Sequence, residues 1–316
     1  FNTNLYNPIV DASEQMPTSY PTIVPYADNR YVSYTLTDQM SMLDDKLQVI
    51  LGARYQDIDT KNLYKKTKYS SDKLSPSLGL VVKPFGEDLS FYASYVEGLS
   101  EGVTVSDMTY PTATNKGETL APYQTKQYEL GTKYQVGSWL NTLALYQIEK
   151  PEVYQDTVTK AVKDDAETRS RGIEFSTAGQ LTEDLSLMAN LAYIDAEYVK
   201  SGTASQVGNT VIGTPDFTAG LGMDYKIPVV DGLSVNARAS YVSEQYLNTD
   251  NSLELPDYTI LDLGAKYATK IGGVNTTFRA NVNNLTDEKY WSGVFGSNYA
   301  ILGAGRTYKL GVTFDF

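Results

Sequence analysis

Residues 305–316 read GRTYKLGVTFDF, and their alternation decides the fold. Tyr308, Leu310, Val312, Phe314 and Phe316 fall on one parity, while Thr307, Lys309, Gly311, Thr313 and Asp315 fall on the other. Side chains of a β-strand alternate between faces, so the segment is a strand with one apolar and one polar face. The same period of two recurs upstream. Leu47, Val49, Leu51, Ala53 and Tyr55 oppose Lys46, Gln48, Gly52 and Arg54. Leu89, Phe91, Ala93 and Tyr95 oppose Ser90, Tyr92 and Ser94, and Tyr128, Leu130 and Tyr134 oppose Gln127, Glu129 and Lys133. Leu185, Leu187, Ala189, Leu191 and Tyr193 oppose Ser186 and Asn190. Leu233, Val235, Ala237, Ala239 and Tyr241 oppose Ser234, Asn236, Arg238 and Ser240. Val274, Thr276, Phe278, Ala280 and Val282 oppose Asn275, Arg279, Asn281 and Asn283. Charged residues on the second face are costly against lipid and natural against a wet lumen.

The connections alternate in length. Short turns are expected near 43–45, 85–88, 136–137, 179–184, 228–232 and 269–273, which carry the Asp, Gly and Pro that suit tight reversals. Longer polar stretches fall at about 59–71, 98–121, 150–167, 200–213, 246–255 and 286–303. Short turns at one end and long loops at the other describe an outer-membrane barrel, and a soluble all-β sandwich has no reason for that asymmetry. The fold class expected is all-β: a transmembrane antiparallel β-barrel with about thirteen strands between Arg30 and Phe316. Bacterial single-chain barrels have even strand counts, so an odd count suggests that earlier strands are missing. The whole of 1–316 reads as one barrel portion, with 1–27 an extracellular loop remnant and strands over 28–316.

Composition narrows the function. The 316 residues carry 26 Lys and Arg against 38 Asp and Glu, a net charge of -12, which argues against nucleic acid as a partner. Mean hydropathy is -0.32, too polar for a bundle of membrane helices. The 26 tyrosines fit membrane interfaces, where an apolar ring meets a wet hydroxyl. Cys and His are both absent, which excludes disulfides, Ser–His mechanisms and zinc sites built from those residues. The pairs Asp44–Asp45, Asp164–Asp165 and Glu183–Asp184 read as solvated turn residues rather than metal sites, and no enzyme chemistry is expected.

Several segments together resemble the C-terminal half of TonB-dependent siderophore receptors. They are NLYNP at 4–8, SFYASYVEG at 90–98, APYQTKQYELGTKY at 121–134, RSRGIE at 169–174, PDYTILDLGAK at 256–266, NVNNLTDEKY at 281–290 and the terminal GRTYKLGVTFDF. Ferrichrome- and hydroxamate-type receptors are the subgroup they are most similar to. The resemblance implies a 22-stranded barrel closed by a plug domain, of which this sequence would supply the last thirteen or so strands and no plug, and uptake of ferric siderophore across the bacterial outer membrane. Iron would travel inside the siderophore, so no cofactor or protein metal ligand is expected. Partners implied are the ferric siderophore, membrane lipid, the plug of the full-length protein, the TonB energy-transducing complex acting through that plug, and the barrel-assembly machinery reading Phe316. Aromatic loop residues are the candidate ligand contacts: Phe295, Trp291 and Tyr299 in the last long loop, Tyr110, Tyr154, and Phe1 and Tyr6 in the first loop remnant. The alternative for each ring is an aromatic girdle or loop packing. Arg54, Glu129, Arg171, Glu174, Arg238 and Arg279 are expected to face the lumen and the plug, or simply to hydrate the wall. A passive porin is the rival reading.

Overall fold

In the computed structural model, residues 27–63, 67–100, 102–106 and 109–316 are described. The strands are β1 (Ala27–Met42), β2 (Leu47–Asn62), β3 (Thr67–Val82), β4 (Leu89–Ser100), β5 (Tyr123–Val136), β6 (Trp139–Gln155), β7 (Val162–Gln180) and β8 (Leu185–Lys200). They continue with β9 (Phe217–Lys226), β10 (Leu233–Val242), β11 (Gln245–Tyr246), β12 (Glu254–Leu255), β13 (Tyr258–Ile271), β14 (Val274–Asn283), β15 (Trp291–Gly296), β16 (Tyr299–Leu302) and β17 (Thr307–Asp315). Thirteen of them form one sheet in the order β1 to β10, β13, β14, β17, each antiparallel to its neighbour. The remaining four make two short hairpins, β11–β12 and β15–β16, in the loops. Among the described residues the helical content is one 3-10 turn, Ala204–Gln206.

Register turns the alternation into two continuous faces. Residues directly opposite each other share a face. Ala93, Leu130, Leu145, Ile173, Tyr193 and Phe217 stand in one row across β4 to β9. Met223, Ala237, Leu263, Val282 and Tyr308 make a second row on that face across β9 to β17. The opposite face carries Tyr92, Gly131, Ala144, Glu174, Ala192 and Thr218 in one row. Leu78, Leu130, Leu221 and Leu310 on the apolar face are all exposed. An apolar patch running over thirteen strands is far larger than a water-soluble surface tolerates, and lipid is its solvent.

The turns at the short end follow from backbone geometry. Gly137 (φ 57) and Ser138 link β5 to β6, with positive φ at the first turn residue as a type II′ turn requires. Gly272 (φ 59) and Gly273 (φ 87) link β13 to β14, both positive as in type I′. The strand and turn order expected from alternation is therefore observed, with one correction at the long-loop end. The stretches 59–71 and 150–167, expected as loops, are largely strand: β2 and β3 pair from Leu47↔Val82 up to Asn62↔Thr67, and β6 and β7 pair up to Gln155↔Val162. A spanning strand needs only about 9–11 residues. The 19 residues of β7 extend well past that, and there Asp164 and Asp165, on opposite faces, are both exposed.

β1 and β17 lie at the two ends of the sheet and do not pair with each other. Unpaired backbone N–H and C=O groups are not tolerated in hydrocarbon. In the membrane both edges require further strands.

Candidate functional site

Two surfaces bear on function: the polar face of the wall and the long-loop end. On the polar face, Glu129 accepts hydrogen bonds from the Tyr92 hydroxyl (2.6 Å) and from Gln127 Nε2 (3.0 Å). The Tyr92 ring lies across Gly131, where an added Cβ would come within 2.5 Å of it. Tyr146 lies across Gly172 in the same way. Tyr92, Glu129, Lys133, Thr142, Glu174 and Asn190 line a hollow of about 510 Å3, with Lys133 Nζ 5.6 Å from the Tyr92 ring centre. Two carboxylates and one ammonium leave this hollow negative, suited to a cationic or hydrogen-bond-donating group.

Four other expected lumen residues have definite positions. Arg54 donates to Ser33 Oγ at 2.9 Å, Arg238 lies 3.5 Å from the Asp262 carboxylate, and Arg279 donates to Thr313 Oγ1 at 2.9 Å; all three stand on the polar face. Arg171 does not. It opposes Gln147 and Asp195 on the parity of Ile173 and Phe175, and its Nε donates to Gln147 at 2.7 Å. Arg171 and Glu174 are three residues apart on a regular strand, so they cannot share a face. Arg171 sits about 30 Å along β7 from Gln180, at the outer rim of the apolar band, where a long cationic side chain can reach water.

The candidate aromatics separate sharply. Trp291 is 7 % exposed, packed with Leu247 and Leu255 and against Val294 and Ala300. Tyr110 packs on a second cluster of Val105, Ala113, Leu120 and Val162, and burial pushes its phenol above the ordinary value. Asn115 holds the same loop to β7: its Oδ1 accepts from the Val162 N–H at 2.9 Å and its Nδ2 donates to the Val162 carbonyl at 3.0 Å. Tyr154 is part-buried over Gly202, where a Cβ would meet the ring at 1.7 Å. These three rings pack loops together. Phe295 and Tyr299, 85 % and 68 % exposed, project from the β15–β16 arm. Phe1 and Tyr6 lie outside the described residues.

Sequence reasoning missed Tyr92 as part of the lumenal hollow and Tyr146 as a second ring on the same face. The register of Tyr92 opposite Gly131 and of Tyr146 opposite Gly172 carried the signal. Among the described residues no His, Cys, Asp and Glu group could hold a metal ion.

Residues 1–285 match the family described as TonB dependent receptor-like, beta-barrel. The chain is 32% identical over 324 residues to the ferrichrome receptor FcuA of Yersinia enterocolitica, covering 100% of this chain and 43% of that protein. It is 28% identical over 321 residues to the ferrioxamine B receptor of Salmonella typhimurium, covering 98% of this chain and 44% of that one. Among solved structures, BauA, the ferric preacinetobactin receptor from Acinetobacter baumannii, superposes with a TM-score of 0.79 at 35% identity, over 92% of this chain and 43% of that one. The chain thus spans less than half the length of these relatives.

Proposed function

Because this chain belongs to the TonB-dependent receptor β-barrel family, we propose that it forms the C-terminal part of the wall of an outer-membrane receptor that imports ferric siderophores. The observation that carries this reading is the thirteen-strand sheet with an apolar outer face and two unpaired edges, matched over its whole length to under half of known siderophore receptors. Strands and a plug supplied by the rest of the protein would close it.

In this reading the loops capture an iron complex whose organic ligand already satisfies the metal. Phe295 and Tyr299 offer flat apolar area to that ligand. Glu129 and Glu174, with the hydroxyls of Tyr92 and Tyr146 around them, hydrogen-bond the plug and hold it reversibly. Lipid surrounds the apolar face, Phe316 is read by the barrel-assembly machinery, and TonB drives opening through the plug. The protein is a transporter rather than an enzyme and needs no cofactor of its own. A hydroxamate-type chelate is the first substrate class to test, on the strength of the ferrichrome and ferrioxamine B receptors among its relatives. No observation favours a passive porin.

The test uses the full-length receptor in an iron-starved strain stripped of its own siderophore receptors. Uptake of radioactive iron is followed with ferrichrome and ferrioxamine B, with and without TonB. Saturable, TonB-dependent uptake of either is expected. Equal, unsaturable permeation with and without TonB would replace the receptor by a channel.

A further inference from the structure

The exposed arm β15–β16 is not supported by the wall alone. Its partner is the loop 243–257. Trp291 at the base of the arm is buried between Leu247 and Leu255, and the Asn298 N–H at its tip donates to the Leu247 carbonyl at 2.9 Å. That loop is tied in turn to the loop 201–216. Asn251 Oδ1 accepts from the Thr210 N–H at 2.7 Å, and its Nδ2 donates to the Thr210 carbonyl at 3.0 Å. Gln206 donates to Thr249 Oγ1 at 3.0 Å, Asn209 donates to the Thr249 carbonyl at 2.8 Å, and the Gly213 N–H donates to the Tyr246 carbonyl at 3.0 Å. Asn251 holds φ 52, a left-handed conformation that Asn adopts more readily than most residues. Its side chain thus makes the pair of bonds that a backbone strand would make.

We propose that the three loops are one preassembled unit whose task is to aim Phe295 and Tyr299 at the incoming chelate, with Asn251 and Trp291 as its positioning residues. The inference rests on the siderophore-receptor reading. A hairpin of ten or so residues on its own is marginal in water. Here it is held at a fixed attitude by contacts that do not touch the ligand. Binding is then spared the ordering of the arm, because an arm correctly placed only a fraction of the time weakens apparent affinity by that fraction.

Asn251→Gly isolates the tie, since glycine accepts the positive φ while both hydrogen bonds to Thr210 are lost. In the full-length receptor, amide hydrogen exchange at Asn298 should speed up although that residue is remote in sequence. Affinity for ferrichrome or ferrioxamine B should fall about 5- to 30-fold, the effect of one to two hydrogen bonds' worth of order. Trp291→Phe should keep most of the affinity by refilling the space between Leu247 and Leu255, and Trp291→Ala should not. A wild-type receptor that binds a probe, with Asn251→Gly binding it equally well, overturns the proposal. So does unchanged exchange at Asn298. If the wild type binds neither probe, the siderophore reading fails instead, and exchange at Asn298 alone then decides the loop unit.

Discussion

A lysine placed at Leu221 separates lipid from every other solvent for the apolar face. β9 has 10 residues, a length of about 34 Å that spans about 25 Å of bilayer at a tilt near 45°. Leu221 lies at its middle, 57 % exposed. If water bathed that face, Leu221→Lys would change stability by no more than about 0.5 kcal/mol, as surface substitutions do. Against acyl chains at the midplane the cost is about 2–4 kcal/mol, or roughly 30- to 1,000-fold in the folding equilibrium. Met188 is the control. It is apolar, 60 % exposed and on the neighbouring strand, but it opposes Gly222 on the polar face. Met188→Lys should cost little, because it adds a solvated amine to a wet wall. Both variants of the full-length protein would be unfolded with guanidinium in lipid vesicles. Equal destabilisation by the two lysines, or none from Leu221→Lys, would refute the division into lipid and lumen faces.

Phe295→Ala in the full receptor should weaken binding of ferrichrome or ferrioxamine B, and an unchanged Kd would remove Phe295 from the capture surface. Gly131→Val should push Tyr92 off Glu129, since even a Cβ there would lie within 2.5 Å of the ring; restored stability in Gly131→Val with Tyr92→Ala would identify the clash as the cause. At the tip of the β6–β7 hairpin, Lys163 and then the backbone N–H groups of Thr159 and Val158 hold the Asp156 carboxyl well below its ordinary value of 3.8. A depressed carboxylate stabilises the fold above its unfolded pKa, so the tip should be unaffected between neutral pH and about pH 4 and loosen only as pH falls further. Carbon-detected titration of Asp156 checks this, and a midpoint at or above 3.8 contradicts it.

The wall was legible because it follows a local rule. Strands such as β2, β8, β10 and β17 announce themselves by parity, and glycine-bearing reversals such as 136–139 mark the ends. Arg171 was misplaced although parity already decides it: residues 171, 173 and 175 share a face and 174 does not. The strand extensions at 59–71 and 150–167 were hidden because above the membrane neither face need be apolar, and alternation fades. The burial of Trp291 and Tyr110 was beyond local reading for another reason. Each is covered by a loop distant in sequence, Trp291 by Leu247 and Leu255 and Tyr110 by Val162. An aromatic residue in a polar stretch looks the same whether it awaits a ligand or fills a gap.

The uneven heights of the strands give the mouth a direction. β6 and β7, at 17 and 19 residues, stand about 20 Å proud of the apolar band, while β9, β10 and β14 end near it at 10 residues each. One side of the rim is a palisade and the other a low sill roofed by folded loops. Large particles, such as antibodies or phage tails, would strike the palisade first. The arm with Phe295 and Tyr299 rises instead from the connection between β14 and β17, on the low side of the rim.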